Sequence, residues 1–320
     1  MTSKRHRYIY GPVPSRRLGR SLGVDLVPFK TCSFDCVYCQ LGKTTIKTVE
    51  RKVYVPTEEV LAELSDKLAS GLECDYITLS GSGEPTLHSD LGKIVSSIKQ
   101  MTDIPLALLT NGSLLSRKDV RSEIMVVDLL VPSLDAGDEQ TFQQINRPCP
   151  EITFQSIIDG LKAVKQEFPG QIRLEVFLIA GINDSDEQVR KIKAIIDEIG
   201  FEHVDLNTAT RPPSEKWVQP VGPERLEQIA KIIGPNTEIV AATTITAERA
   251  GAVSRDDILE MLRRRPCTID DVSAGLKCHR WEAAKIMGEL LDEGLVIAIR
   301  RGNKDYYQTM HEQGAPRKES

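Results

Sequence analysis

Apolar positions along the chain follow two periods. The stretches "LGVDLV" (22–27), "YITLS" (76–80), "PLALLT" (105–110), "VVDLLVPSL" (126–134), "IRLEVFLI" (172–179) and "HVDLN" (203–207) are short and mostly apolar. Such runs predict strands buried on both faces, as in a parallel sheet. Between them the period becomes helical. In "TEEVLAELSDKLAS", Val60, Leu61, Leu64 and Leu68 share a face, with Thr57 as the expected N-cap. "SDLGKIVSSIKQM" aligns Leu91, Ile94, Val95 and Ile98, and "FQSIIDGLKAVKQEF" repeats the theme. "SDEQVRKIKAIIDEIG" carries Val189, Ile192, Ile195 and Ile196, with Gly200 as its stop. This alternation predicts an α/β fold with a parallel sheet, open or closed into a barrel, and chemistry at the C-terminal strand ends.

The pattern changes after about Ala250. A helix capped by Ser254 and ended by Pro266 precedes a short helix, "TIDDVSAGL", and a third, "HRWEAAKIMGELLDEG", with Ala284, Met287, Leu290 and Leu291 inward. "LVIAIRRGNKDYYQ" then alternates Leu295, Ile297 and Ile299, turns at Gly302–Asn303 and returns through Tyr306 and Tyr307. This is similar to a winged helix-turn-helix. The expected division is 1–20 as an N-terminal extension, 21–248 as the core, 249–310 as the winged domain and 311–320 as a disordered tail.

Composition narrows the class. Lys+Arg number 41 and Asp+Glu 46, a net charge of −5, so a globally basic nucleic-acid binder is not indicated. No run of eighteen apolar residues and no secretory h-region appear, so the expected location is the cytoplasm. Seven cysteines in a reducing compartment do not suggest a disulfide framework.

Three of those cysteines fall in "TCSFDCVYCQLG": Cys32, Cys36 and Cys39. A structural zinc site takes four ligands from paired knuckles, and no second pair follows. The triplet also admits an iron–sulfur cluster, where soft thiolates bind iron and a missing fourth ligand leaves one iron open. An inert set of buried thiols is the third alternative.

The C-x3-C-x2-C spacing, with Tyr38 before the last cysteine, resembles the radical S-adenosylmethionine (SAM) superfamily. The resemblance implies a partial (β/α)6 TIM-type barrel, to which the C-terminal pattern adds the small winged-helix domain. It implies a [4Fe–4S] cluster on Cys32, Cys36 and Cys39 whose open iron chelates SAM. It also implies a 5′-deoxyadenosyl radical and a reductant such as flavodoxin or ferredoxin. After the second strand, Gly81, Ser82, Gly83, Glu84 and Pro85 match the family's Gly-Gly-Glu-Pro element, with Ser82 inserted. Glu84 there would accept from the SAM ammonium. Thr110 and Asn111 follow the third strand, Ser133 and Asp135 the fourth, and Gly181, Ile182 and Asn183 the fifth. On the resemblance these meet SAM carboxylate, ribose and adenine; turns and helix caps account for the same residues.

"YGPVPSRRLGRSLGVDLVP" and "LNTATRPPSEKWVQP" are similar to iron–sulfur oxidoreductases related to the wyosine tRNA-modification synthases. That branch places Arg16, Arg17, Arg20 and Arg211 near the mouth, facing phosphate or carboxylate. It carries further N-terminal cysteines, whereas no cysteine precedes Cys32 here. Cys149 in "NRPCP" follows the fourth strand, where a thiol can approach the site, but an inert thiol is the expectation. On the C-terminal part, Lys277, His279, Arg280, Lys285, Arg300, Arg301 and Lys304 suit nucleic acid, diluted by Glu282, Glu289, Asp292 and Glu293. A protein partner is equally admitted. The reading is thus an enzyme acting on an RNA base or a protein. A redox-sensing, DNA-binding regulator is the alternative.

Overall fold

The computed structural model describes residues 8–15, 17–240, 254–276, 278 and 280–310. Strand β1 (Ile9–Ser15) lies antiparallel to β2 (Gly19–Val24). Two short strands, β3 (Thr31–Cys32) and β4 (Ile46–Lys47), pair with each other. Then come α1 (Thr57–Ala69), β5 (Tyr76–Leu79), α2 (Leu91–Met101), β6 (Leu106–Thr110), α3 (Lys118–Glu123) and β7 (Leu129–Pro132). Helices α4 (Glu139–Asn146) and α5 (Phe154–Glu167) lead to β8 (Gln171–Ile172) and β9 (Leu174–Leu178). The chain continues through α6 (Asp186–Ile199), β10 (Val204–Thr208), α7 (Pro223–Ile233) and β11 (Thr237–Ile239).

The strands form two parallel sheets, β2-β5-β6-β7-β8 with β1 on the edge, and β9-β10-β11. "IRLEVFLI" is therefore two strands. Its start pairs with β7 and its remainder with β10, and a parallel bridge from Ser133 to Glu175 joins the sheets. Alternation divides the faces. Ile77, Leu79, Leu106, Leu108, Leu130, Val176 and Leu206 share one core with the helical stripes Val60–Leu64, Ile94–Ile98, Ile157–Leu161 and Val189–Ile196. Each such side chain contributes about 1.5–3 kcal/mol by leaving water. On the helix-free face, Leu18, Ala107, Leu129 and Val131 form a smaller cluster, beyond which the strand ends open into a cavity.

Several expectations are corrected. The N-terminal segment from Ile9 is no extension: β1 completes the sheet, and the Tyr10 ring lies where a Cβ on Gly23 would sit. Pro56, not Thr57, occupies the N-cap of α1, and the Thr57 hydroxyl donates to Asp90 at 2.8 Å. Gly200 does close α6 in left-handed geometry. Helices α4 and α7 and strand β11 were not anticipated.

Beyond residue 253 lie α8 (Arg255–Arg264), α9 (Ile269–Gly275), α10 (Arg280–Asp292) and a hairpin of β12 (Val296–Arg301) and β13 (Lys304–Thr309). Ser254 caps α8 as expected. The hairpin's burial does not follow simple alternation. Leu295 and Ile297 are 43% and 37% exposed, Val296 and Tyr307 pack on the helices, and Ile299 is half-buried beside buried Tyr306. The same cluster takes in Tyr10 and Val13 of β1, so this unit is seated on the sheet edge. Arg16, Lys277, His279 and the tail 311–320 lie outside the described residues, as does the expected boundary at 249.

Candidate active site

The cavity measures about 390 Å³ and is lined by Cys32, Cys36 and Cys39 together with Tyr38, Glu84, Asn111 and Ser133. These come from the loops after different strands, so only folding assembles them. Gly81, Ser82 and Gly83 line it as well.

Two loops are clasped backbone to backbone. Lys30 N donates to Ser82 O at 2.7 Å, and Glu84 N to Thr31 O at 3.2 Å. That approach explains Gly83: a Cβ there would lie 1.7 Å from Thr31 O. Gly81 has a φ of 144°, and a Cβ would meet the Asp25 carboxylate at 2.8 Å. Ser82 is anchored on Asp25, through its amide at 3.0 Å and its hydroxyl.

Every cysteine sulfur in the triplet accepts a nitrogen donor. Lys30 Nζ stands 3.2 Å from Cys39 Sγ, Asn111 Nδ2 3.5 Å from Cys32 Sγ, and Asn146 Nδ2 3.5 Å from Cys36 Sγ. Burial, then the nearby Glu84 carboxylate, pushes the Cys32 thiol up to about 12. Burial lifts Cys36 well above the ordinary range, with Cys32 and Asp135 adding to it.

Glu84 is buried and accepts from Thr86 N, Thr86 Oγ1, Thr110 Oγ1 and Asn111 N at 2.6–3.1 Å. Three of these donors share Oε1, and Oε2 takes the Asn111 amide. Asn111 is also pinned, its Oδ1 accepting from Ser113 N at 2.9 Å. Tyr38 stacks on Phe177 with centroids 3.8 Å apart and donates to Asp135.

Three expected residues are not among those lining the cavity. Asp135 is buried, accepting from Tyr38, from Asn146 at 2.7 Å and from Phe177 N at 2.9 Å. These bonds tie Asp135 to Tyr38 and Asn146. Asn183 is equally committed, accepting from Ile179 N and donating to the Asp135 and Phe177 carbonyls. Gly181 is exposed on a turn with φ 75°. Arg17 and Arg211 do line the cavity; Arg17 pairs with Glu175, and Arg211 stands 3.5 Å from Asp271. Arg20 instead pairs with Glu73 and Asp75. Cys149 is buried in the core with its amide on Ser33 O.

Sequence reasoning passed over Lys30, Asn146, Asp25, Arg264 and Arg265. Asp25 had a signal, a charge inside the apolar run "LGVDLV". Asn146 and the "RRRP" arginines had none, because only tertiary packing brings them here.

Residues 26–194 match the radical SAM superfamily. A crystal structure of a radical SAM methyltransferase from Sphaerobacter thermophilus has a similar fold, with a TM-score of 0.52 at 18% identity over 68% of this chain and 65% of that one. The chain belongs to the radical SAM superfamily and is an enzyme of that class, which implies a [4Fe–4S] cluster and SAM as cofactors.

Within that class it belongs to the UPF0026 proteins. One from Helicobacter pylori is 31% identical over 303 residues, 93% of this chain and 96% of that protein. Another from Methanocaldococcus jannaschii is 37% identical over 238 residues, 74% and 73% of the two chains. A protein named GTPase Obg from Brachyspira hyodysenteriae is 38% identical over 292 residues, 90% of this chain; the chain spans 43% of that relative's length. Among the described residues, no helix is long and apolar enough to cross a membrane.

Proposed function

We propose that Cys32, Cys36 and Cys39 hold the cluster and that the Gly81–Glu84 turn with Asn111 and Ser133 holds SAM, in a partial (β/α)6 barrel. The observation that carries this is the convergence of the thiol triplet and the Gly-Ser-Gly-Glu turn on one cavity, stitched together through Thr31 and Ser82. The donor set suits a cluster. In a cluster, thiolates bind separate irons and nitrogen donors to sulfur tune the potential. Lys30, Asn111 and Asn146 are placed for that.

Held by Cys32, Cys36 and Cys39, a [4Fe–4S] cluster would supply one-electron chemistry to SAM bound beside it. The chain's own residues bind, orient and exclude water. Glu84 is the acceptor for an ammonium, through Oε2. Ser133 offers a hydroxyl, and Asp135 works one step removed by fixing Tyr38 and Asn146.

The C-terminal helices and hairpin read as a winged helix. Three of its basic residues are engaged within the chain: Arg280 with Asp270, Arg300 with Asp305, and Arg301 with the Val218 carbonyl. We therefore give the unit a part in the cavity rather than on nucleic acid.

The test is anaerobic reconstitution, dithionite reduction and quantification of 5′-deoxyadenosine from SAM. Wild type should form it and Cys36→Ala should not. An intact cluster that leaves SAM unbound and uncleaved refutes the assignment.

A further inference from the structure

One wall of the cavity comes from the C-terminal unit. Arg264, in the last turn of α8, and Arg265, its C-cap, line the same cavity as the three cysteines. Arg211, from the segment after β10, lines it too. Each guanidinium has a structural partner. Arg264 is paired with Asp25, bonds Ser82 Oγ at 3.1 Å and lies over the Tyr10 ring at 5.0 Å. Arg211 is held by Asp271 of α9. Despite burial, Arg211 and Arg265 together keep the Asp271 carboxyl below its ordinary range.

The partners Asp25 and Asp271 are not among the lining residues, whereas the arginines are. Of the two carboxylates in the lining, Glu175 is paired with Arg17, and Glu84, held by four donors, is the one assigned to the SAM ammonium. Three guanidiniums therefore front the cavity from one unit and the loop it touches. A guanidinium carries five donors in a rigid fork suited to phosphate and carboxylate. The unit is also fastened around this wall, with Tyr306 OH on Thr210 O at 2.7 Å and Arg301 on Val218 O at 3.2 Å. At about 390 Å³ the space is of small-ligand size.

We propose that Arg264 and Arg265 of the C-terminal unit, with Arg211, form a recognition site in the reaction cavity for the phosphate or carboxylate group of a small anionic substrate. This rests on the reading of the cavity as the site of SAM chemistry. The C-terminal unit is then a fixed wall of the active site, and its arginines determine which substrate is held.

The test uses the full chain, reconstituted anaerobically, with isothermal titration of inorganic pyrophosphate and, separately, succinate. Wild type should bind at least one, and preference between them tells phosphate from carboxylate. Arg265→Gln and Arg211→Gln should each weaken binding by about tenfold or more, the loss of one charge-assisted contact. Arg264→Lys retains the charge on Asp25, so it should fold, yet it should also weaken binding because the fork is gone. Arg280→Gln, an exposed side chain at the start of α10 that does not line the cavity, should bind as wild type. Absence of binding by both anions, or affinity indifferent to all three cavity variants, overturns the proposal. SAM is titrated in parallel. Anion binding without SAM binding sinks the cofactor assignment alone; SAM binding without anion binding sinks this proposal alone.

Discussion

Arg264 at the end of α8 is ion-paired with Asp25, which follows β2 and lies 239 positions earlier in the chain. Asp25 is buried and also accepts from Ser82, so one carboxylate ties the C-terminal unit to the Gly-Ser-Gly-Glu turn. Removing one partner of such a pair strands the other charge. Asp25→Ala should cost about 3 kcal/mol or more in urea unfolding. A double-mutant cycle with Arg264→Met should give a coupling of at least about 0.5 kcal/mol, and additive losses would refute the link.

Gly83 and Gly42 separate crowding from backbone strain. Gly83→Ala must displace the Thr31 carbonyl, since its Cβ would lie 1.7 Å away. Its expected cost is about 3 kcal/mol, with loss of iron loading. Gly42 has open space and a φ of +84°. Gly42→Ala should cost only about 1–2 kcal/mol, with iron retained. Unfolding midpoints and iron per chain decide between them.

Glu84 supports structure as well as ligand. Ala at this position orphans four buried donors and should cost about 2–3 kcal/mol or more. Gln retains an acceptor for part of that set. Glu84→Gln should therefore fold nearly normally and lose SAM affinity by calorimetry. Equal SAM affinity in Glu84→Gln and wild type would show that the negative charge is not used.

Iron content should distinguish the cysteines. Cys32→Ala, Cys36→Ala and Cys39→Ala should each lose iron, whereas Cys149→Ala should retain it. Cys149 is buried in the core and does not line the cavity. Loss of iron from the Cys149 variant, with the fold intact by circular dichroism, would revise the ligand set.

Glu260 on α8 gives a pH signature. Burial raises its carboxyl to about 7, so the folded chain keeps a proton that the unfolded chain has released. Stability from this group is present below the unfolded value of 4.5 and falls as pH rises to about 7. Glu260→Gln should flatten the decline across that window in urea titrations at successive pH values. An unchanged slope would place the proton elsewhere.

The sequence by itself determined much of this protein. Apolar runs and helical stripes define the alternating α/β order because burial on two faces, or on one stripe, leaves a periodic trace. The Cys32, Cys36 and Cys39 spacing and the Gly81–Glu84 turn are local, so their chemistry was legible as well. Tertiary structure alone decided the rest. "IRLEVFLI" looks like one strand, yet its halves pair with different neighbours, because register is settled across the sheet and not along the chain. Asp135 and Asn183 stand at strand ends like ligand groups but are consumed by hydrogen bonds from Phe177 and Ile179 and from Tyr38 and Asn146. Leu295 and Ile297 alternate as a buried face would, yet both are exposed and Val296 is the residue that packs on the helices. Arg264 and Arg265 read as a basic run before a proline. Their approach to Asp25 and the cavity depends on β1, whose Tyr10 and Val13 seat the C-terminal helices, and that long-range contact leaves no periodic signal in the sequence.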